Sequence, residues 1–450
     1  MMKENKNMNL KTRIIRMLAN GSREVLSRLT QGGSSFPGKL ALTLDPHILA
    51  SLTKNYQIAV ITGTNGKTMT TALCAQMARQ KGYQIVTNAS GSNMIQGIVG
   101  AFLAAEPLKA GEQGLAILEI DEGSLNKILQ YFQPDVFIHT NLFEDQMDRY
   151  GSVQAVANLL EEAARRSPEA QVIANGDSPY LHMPDLENER LYFGFDYSSQ
   201  SVNHFESVLV NESCPKCQHT LTYKYLSYGN LGDYLCPSCG LSRPSLDYRM
   251  TDIIELDADY AKVAFDEVEY ELSMGGMYNV YNALAAYAFG RYLECTPEQI
   301  QAAFSGAPRI SGRQEVVEYQ GKEIHLNLIK NTVGMEQTLD LIGLTNEPMS
   351  IVFIINNQPA DGEDIGWLQQ VDFDRMASYP IKKIVTSGMC QQAITEELER
   401  SALSVPIQPM SVGNVVQWIQ QTDETTIHIV ASYTAMMAFR KVLTDQGIID

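Results

Sequence analysis

Apolar positions along the chain gather into short unbroken runs, separated by longer stretches in which every third or fourth residue is apolar. Residues 57–62 (QIAVIT), 115–120 (LAILEI), 136–140 (VFIHT) and 170–174 (AQVIA) are such runs, the pattern of strands buried on both faces. Helical spacing returns between and after them, most clearly at 67–81 and 278–293. Strands alternating with helices predict an α/β fold built on a parallel, doubly wound sheet. A second block of the same kind starts near Glu315, with strands expected at 323–329, 349–355, 383–386 and 426–431. From 201 to 248 the rhythm breaks, and cysteine, glycine and tyrosine take over, which marks an insertion. Gly306, Pro308 and Gly312 fall outside any periodic segment and make 306–312 the expected hinge. The chain therefore divides into an N-terminal segment (1–55), a first α/β domain (56–308) with an insertion at 205–248, and a C-terminal α/β domain (309–450).

Composition narrows the function classes. The 450 residues are 44% hydrophobic, enough for large cores, and carry a formal charge of -18. That charge opposes a broad nucleic-acid footprint, which needs clustered Lys and Arg. One basic patch stands out at the start: Lys3, Lys6, Lys11, Arg13, Arg16, Arg23 and Arg28 against Glu4 and Glu24. It reads as a solvated helix face or as a segment that favours an anionic membrane surface. No apolar run reaches the length of a transmembrane helix, and Arg13 and Arg16 interrupt the only apolar stretch near the N-terminus. The expectation is a cytoplasmic protein, peripheral at most to the inner membrane face. Cys74, Cys295 and Cys390 are scattered and read as buried small hydrophobes. The other four cysteines are not scattered.

Gly63, Thr64, Asn65, Gly66, Lys67 and Thr68 follow an apolar strand and open a helix, the setting of a nucleotide phosphate loop. Glycines let backbone N–H groups converge on phosphate oxygens, the helix N-terminus adds positive potential, and Lys67 adds a full charge. Thr68 is placed to hold magnesium. The general pattern wants a glycine where Ile61 stands. Cys214, Cys217, Cys236 and Cys239 form C-x2-C-x18-C-x2-C, the spacing of a tetrahedral, closed and therefore structural zinc site.

What fits the loop is the variant TGTNGKT of Mur ligases and folylpolyglutamate synthetases, which residues 62–68 match at every position. The resemblance continues. Glu119 stands where Mur ligases carry an acidic magnesium ligand, Asn279 and Asn282 match an Asn-x-x-Asn-Ala segment near the adenine, and Gly312 and Arg313 match the pair that opens the last domain. Where those ligases typically read Asp-His-Leu-Asp, this chain has Asp145, Gln146, Met147 and Asp148, so an imidazole is replaced by an amide. With about 55 residues ahead of the loop, a uridine-nucleotide domain is not expected.

A Mur-type ATPase core interrupted by a zinc ribbon resembles the MurT family, the synthetase subunits of lipid II isoglutaminyl synthase. The stretches 140–151 and 360–367 resemble it too, with Gly366 in place of a family serine. The resemblance implies ATP, Mg2+ and Zn2+ as cofactors, a GatD-type glutamine amidotransferase as partner, lipid II as substrate, and amidation of the D-glutamate α-carboxyl through an acyl phosphate. It implies catalytic roles for Lys67 and Arg313, and places on Asp364, with Asp361 in reserve, an aspartate that completes the partner's Cys-His pair. A stand-alone ligase joining an amino acid instead of ammonia is the alternative within enzymes, and a zinc-ribbon nucleic-acid module is the alternative outside them.

Overall fold

The computed structural model describes residues 11–12, 14–19, 36–88, 93–109, 112, 114–196, 212–308, 310 and 312–449. The first apolar run becomes β1 (Tyr56–Thr62), whose last five residues are all buried. It sits inside a nine-stranded sheet because no face of so apolar a strand tolerates water. The other strands of that sheet are β2 (Gln84–Thr87), β3 (Gly114–Glu119), β4 (Val136–His139), β5 (Gln171–Asn175) and β6 (Arg190–Phe195). Between β6 and the next strand the chain leaves to form a small hairpin, β7 (Thr222–Tyr228) and β8 (Leu231–Leu235), and then returns as β9 (Tyr248–Leu256), β10 (Ala261–Phe265) and β11 (Val268–Leu272).

The order across the sheet is β11-β10-β9-β6-β5-β4-β1-β3-β2. It is parallel from β2 through to β9 and antiparallel at the β9-β10-β11 edge. Since β6 and β9 are hydrogen-bonded neighbours, the insertion is looped out between adjacent strands without breaking the sheet. The helix Lys67–Gln80 lies against the helix Met277–Tyr292 on one face, in a core that includes Leu73, Met77, Leu284 and Phe289. On the other face, Ile98, Phe102, Leu125 and Leu160 pack on Val60, Leu118 and Phe137.

The second sheet holds β12 (Arg313–Tyr319), β13 (Lys322–Leu328), β14 (Met349–Ile354), β15 (Ile381–Ser387), β16 (Ile407–Pro409) and β17 (Thr426–Ala431) in the order β12-β13-β17-β14-β15-β16. Only β12 runs antiparallel to its neighbour. Several apolar runs extend one residue past their strands: Ile120, Ile329 and Ile355 stay buried, at 0%, 2% and 0% exposure, and each still donates its N–H to the neighbouring strand, to Ile61 O at 3.0 Å, Ala431 O at 2.9 Å and Ser387 O at 3.1 Å. In the expected hinge, Arg309 and Ser311 lie outside the described residues, as do Lys3, Lys6, Arg13, Arg23 and Arg28 of the basic segment. Within it, Lys11 pairs with Asp45 at 3.1 Å and Arg16 is half-buried.

Two buried histidines make this fold acid-sensitive. Neither ring nitrogen of His139 (β4) or His428 (β17) has a hydrogen-bond partner among the described residues. Burial pushes His139 down to about 4 and His428 to about 3, the latter helped by the His325 ring stacked on it at 4.7 Å. Unfolded, both would titrate near 6.5. A depressed folded pKa favours the neutral ring, so this contribution is complete above about pH 6.5 and drains away as pH falls toward the folded values. Lowering the pH from 7 to 5 should therefore remove about 2 kcal/mol per ring. Chemical denaturation at the two pH values checks this, and His428→Phe should show a correspondingly smaller loss.

Candidate functional site

At the end of β1 the chain turns sharply into the helix Lys67–Gln80, and Gly66 caps that helix in the left-handed region at φ 82°. A Cβ there would stand 2.0 Å from Asn282 Oδ1, so only glycine lets the loop approach the helix Met277–Tyr292. The loop is pinned from below by the segment after β4. Thr64 N–H donates to Asn141 O at 2.8 Å, Asn65 N–H to Asn141 Oδ1 at 2.9 Å, and Thr140 Oγ1 to Asn65 O at 2.8 Å.

Lys67 is 7% exposed, and its Nζ is held by Glu122 Oε1 at 2.9 Å and by the carbonyl of Gly63. Burial opposes its charge, but Glu122, Glu119 and Asp121 outweigh it and hold the ammonium above the ordinary lysine value. Glu122 also accepts from Gly63 N–H at 2.9 Å, so one carboxylate ties the loop and its cation together. Glu119, at the end of β3, is 3% exposed, and its Oε2 has no hydrogen-bond partner among the described residues; the same holds for Thr68 Oγ1. A buried carboxylate oxygen and a hydroxyl left bare are costly. Both residues line one cavity, and a hard oxygen-seeking cation such as Mg2+ fits that donor pair.

The cavity measures about 680 Å³ and lies between the two sheets, outside the carboxyl ends of the parallel strands where such folds bind ligands. Lys67, Thr68, Glu119, Asn282 and Arg313 all line it. Arg313 opens β12 and makes no ion pair among the described residues; burial lowers its pKa, with Glu119 and Tyr278 opposing. Asn282 Nδ2 donates to Asn279 Oδ1 at 3.2 Å, and Asn279 in turn donates to Gln314 Oε1 at 2.8 Å, across to the second sheet.

Other cross-links hold the two halves together. Asn65 and Asn331 exchange amide hydrogen bonds at 3.2 and 3.3 Å, and Lys330 Nζ meets Asp145 Oδ2. Burial raises the Asp145 carboxyl, with Lys330 offsetting it. Asp145 is thus engaged by a lysine, while Gln146 and Asp148 of the same segment line the cavity. Sequence reasoning missed Glu122, Asp145 as an ion-pair partner, Lys330 and Asn331. Only Glu122 carried a usable signal, as an acidic residue in the first turn of a helix just after the Glu119 strand.

Pro359, Ala360 and Gly362 line the cavity, whereas Asp361 and Asp364 of the same segment do not, and the two aspartates are in different states. Asp361 is 7% exposed and accepts from Thr434 N–H at 2.7 Å, from Thr434 Oγ1 and from Gln358 N–H at 3.1 Å. Asp364 is exposed and, among the described residues, accepts only from Gly366 N–H, at 2.7 Å.

The four cysteines of the hairpin converge. All four Sγ atoms lie within 4.8 Å of one another, with Cys214 to Cys239 at 3.6 Å and Cys217 to Cys236 at 3.5 Å. Tetrahedral zinc with Zn–S near 2.3 Å requires about 3.8 Å between sulfurs, so the donor set fits Zn2+. Cys214→Ser and Cys236→Ser should each lose stoichiometric zinc, read by elemental analysis, and unfold the hairpin, since its own core is only Cys214, Leu221, Tyr234 and Cys236. Full zinc content in both variants would contradict a four-sulfur site. Cys74, Cys295 and Cys390 are buried, and burial raises each thiol.

Residues 61–228 match the family model of the Mur ligase middle domain, and residues 328–436 that of the MurT ligase C-terminal region. The chain is 41% identical to the MurT subunit of lipid II isoglutaminyl synthase (glutamine-hydrolyzing) from Streptococcus pneumoniae, over 98% of this chain and 99% of that one. It is 30% identical to the protein of the same name from Staphylococcus aureus, over 87% and 88%. Among solved structures, a pseudomurein peptide ligase type C from Methanothermus fervidus aligns with a TM-score of 0.68 at 19% identity, over 87% of this chain and 79% of that one. The MurF ligase of Thermotoga maritima in complex with ADP aligns at 0.59 and 14%, over 93% and 86%.

Proposed function

Because the chain belongs to the MurT family of Mur ligases, ATP-dependent carbon–nitrogen ligases, we propose that it is the synthetase subunit of a glutamine-hydrolysing lipid II isoglutaminyl synthase. On this reading it converts the α-carboxyl of D-glutamate in the lipid II stem peptide to the amide, D-isoglutamine, using ammonia released from glutamine by a GatD-type partner. The observation that carries the reading is the 41% identity sustained over nearly the full length of both chains. The buried Lys67, its ammonium favoured by Glu122, in a cavity shared with Glu119, Asn282 and Arg313, supports the ATP chemistry.

A carboxylate resists attack by ammonia. ATP with Mg2+ supplies the activation: the γ-phosphoryl group passes to a carboxylate oxygen, giving an acyl phosphate and ADP, and ammonia then displaces phosphate at the carbonyl carbon. The chain's part is positional and electrostatic. Backbone N–H groups of residues 66–68 and the Lys67 ammonium would hold the phosphates, those of Gly63, Thr64 and Asn65 being engaged by Glu122 and Asn141. Thr68 and Glu119 would offer the metal's oxygen ligands, Asn282 would border the adenine, and Arg313 would stabilise charge on the transferring phosphoryl group. No protein nucleophile is required. Asp364, being exposed and lightly engaged, is free to orient a histidine of the partner, whereas Asp361 is committed to Thr434.

The test is co-purification with a glutaminase subunit, then incubation with lipid II, ATP and glutamine. The product should be lighter by one carboxyl-to-amide exchange in mass analysis, and unchanged lipid II with ATP turnover on a free amino acid would favour the stand-alone ligase instead. No described helix is long and apolar enough to cross a membrane. Peripheral contact with the inner leaflet is supported by Ile14, Met17 and Leu18, which are exposed beside Arg16. Met17→Ser with Leu18→Ser should reduce co-sedimentation with anionic vesicles, and equal sedimentation would count against that contact.

A further inference from the structure

The zinc hairpin reaches the cavity. Its strands β7 and β8 run from the thiolates to a turn at Tyr228, Gly229 and Asn230, and that turn is wedged between the two halves of the protein. Gly229 adopts φ 56°, and a Cβ there would stand 2.7 Å from Phe143 and 3.3 Å from Val333, the first from the segment after β4 and the second from the helix Thr332–Gly343. Asn230 is 5% exposed and donates to Leu142 O at 3.0 Å. Tyr228 is 8% exposed, packs edge-on against Tyr281 at 5.4 Å and against Phe143 at 5.9 Å, and lines the same cavity as Lys67 and Asn282.

A second tie runs through Arg243, just beyond the last cysteine. Its N–H donates to Tyr234 O of β8 at 3.0 Å, and its guanidinium donates to Asp177 Oδ1 at 3.0 Å. The buried Asp177 accepts from Tyr281 OH at 2.8 Å. Tyr281 lies on the same helix as Asn279 and Asn282. The turn of the hairpin therefore lines the cavity with Tyr228 and packs Tyr228 and Leu231 into the main core, and Arg243 ties its other end to the helix Met277–Tyr292. The small core at the cysteine end relies on the metal to hold the two strands together behind that turn.

We propose that the zinc hairpin is a wall of the nucleotide cavity: Tyr228 is a positioning residue for the base and ribose of ATP, and metal in the four-cysteine site sets its place. Metal occupancy and nucleotide affinity are then coupled, and the coupling is reciprocal. The part of Tyr228 that reaches the cavity, in a wall shared with Val333 and Tyr278, offers a purine an apolar contact that the polar loop at 63–68 lacks. This rests on the reading of the cavity as the ATP site.

The experiment uses the full chain and a non-hydrolysable ATP analogue titrated by calorimetry. Tyr228→Ala should weaken binding by about tenfold, worth roughly 1.4 kcal/mol, with zinc content unchanged. Removing zinc from the unmodified protein with a chelator should weaken it at least as much, while removing zinc from Tyr228→Ala should add little. Effects that multiply independently, or unchanged affinity in either arm, would overturn the proposal. If the stripped protein unfolds, the reverse measurement decides: saturating analogue should slow zinc transfer to a chromogenic chelator severalfold in the unmodified protein and not in Tyr228→Ala, and equal rates would overturn it. The double variant Lys67→Ala with Glu122→Gln separates the two readings. Full analogue binding by that variant means the cavity is not the ATP site. Lost binding there, with Tyr228→Ala unaffected, refutes only the hairpin's role.

Discussion

Replacing Lys67 with alanine should cut glutamine- and ATP-dependent amidation by about 10³-fold, the scale on which one preorganised electrostatic group acts on a transferring phosphoryl group. It should also destabilise the loop, because Lys67 is buried and its partner Glu122 would be left beside Glu119 and Asp121 with only Gly63 N–H to satisfy it. Breaking a buried pair from one side costs about 3 kcal/mol or more, so the single variant confounds chemistry with folding. Lys67→Ala with Glu122→Gln resolves this, since the amide oxygen of glutamine can still accept from Gly63 N–H without a stranded charge. The double variant should regain most of the lost thermal stability and none of the activity. Recovery of amidation in it would mean that Lys67 serves only to neutralise Glu122, and the phosphate role would be lost.

The need for that double variant shows where the sequence stops being informative. The phosphate loop was legible because strand, glycine turn and helix are local, and its residue types are dictated by one chemistry. The hairpin's cysteines were legible for the same reason: metal geometry fixes their spacing. Glu122 left only a weak mark, its place in a helix's first turn just after the Glu119 strand, since an acidic residue there is ordinary and only the fold brings it to Lys67. Asn65 with Asn331, and Asp145 with Lys330, join residues from separate sheets, and no local pattern marks such pairs. The strands escaped for a related reason. The buried parallel strands β1, β3, β4 and β14 announce themselves as apolar runs, but β9 mixes polar with apolar side chains irregularly and β11 alternates exposed and buried residues at the sheet edge, with the short β10 between them. Their signal sits directly after the insertion and reads as its tail. Tyr228 was the least legible of all, since nothing in a zinc-binding hairpin says which end of it meets another site.

Asp364 offers the other large effect. If it orients the histidine of a glutaminase partner, Asp364→Asn should depress glutamine-dependent amidation by up to about 10⁴-fold, the loss seen when a triad's acidic member becomes an amide. With ammonium supplied in place of glutamine the same variant should retain most of its rate, because activation of the carboxylate takes place in the cavity that holds Lys67. Its stability should be close to unchanged, for the exposed side chain accepts one hydrogen bond among the described residues, from Gly366, which an asparagine oxygen can still accept. Asp361→Asn should behave differently. That carboxylate is buried and receives both the N–H and the hydroxyl of Thr434, so the change should lower the unfolding midpoint, at about 1–3 kcal/mol for a charged hydrogen bond, and should affect the glutamine and ammonium reactions alike. Measuring both rates and the melting midpoint for each variant gives four distinct outcomes. Equal loss of the two reactions in Asp364→Asn would assign the residue to the ligase cavity, and no loss in either would move the partner's missing carboxylate to another side chain of the segment around Gly362.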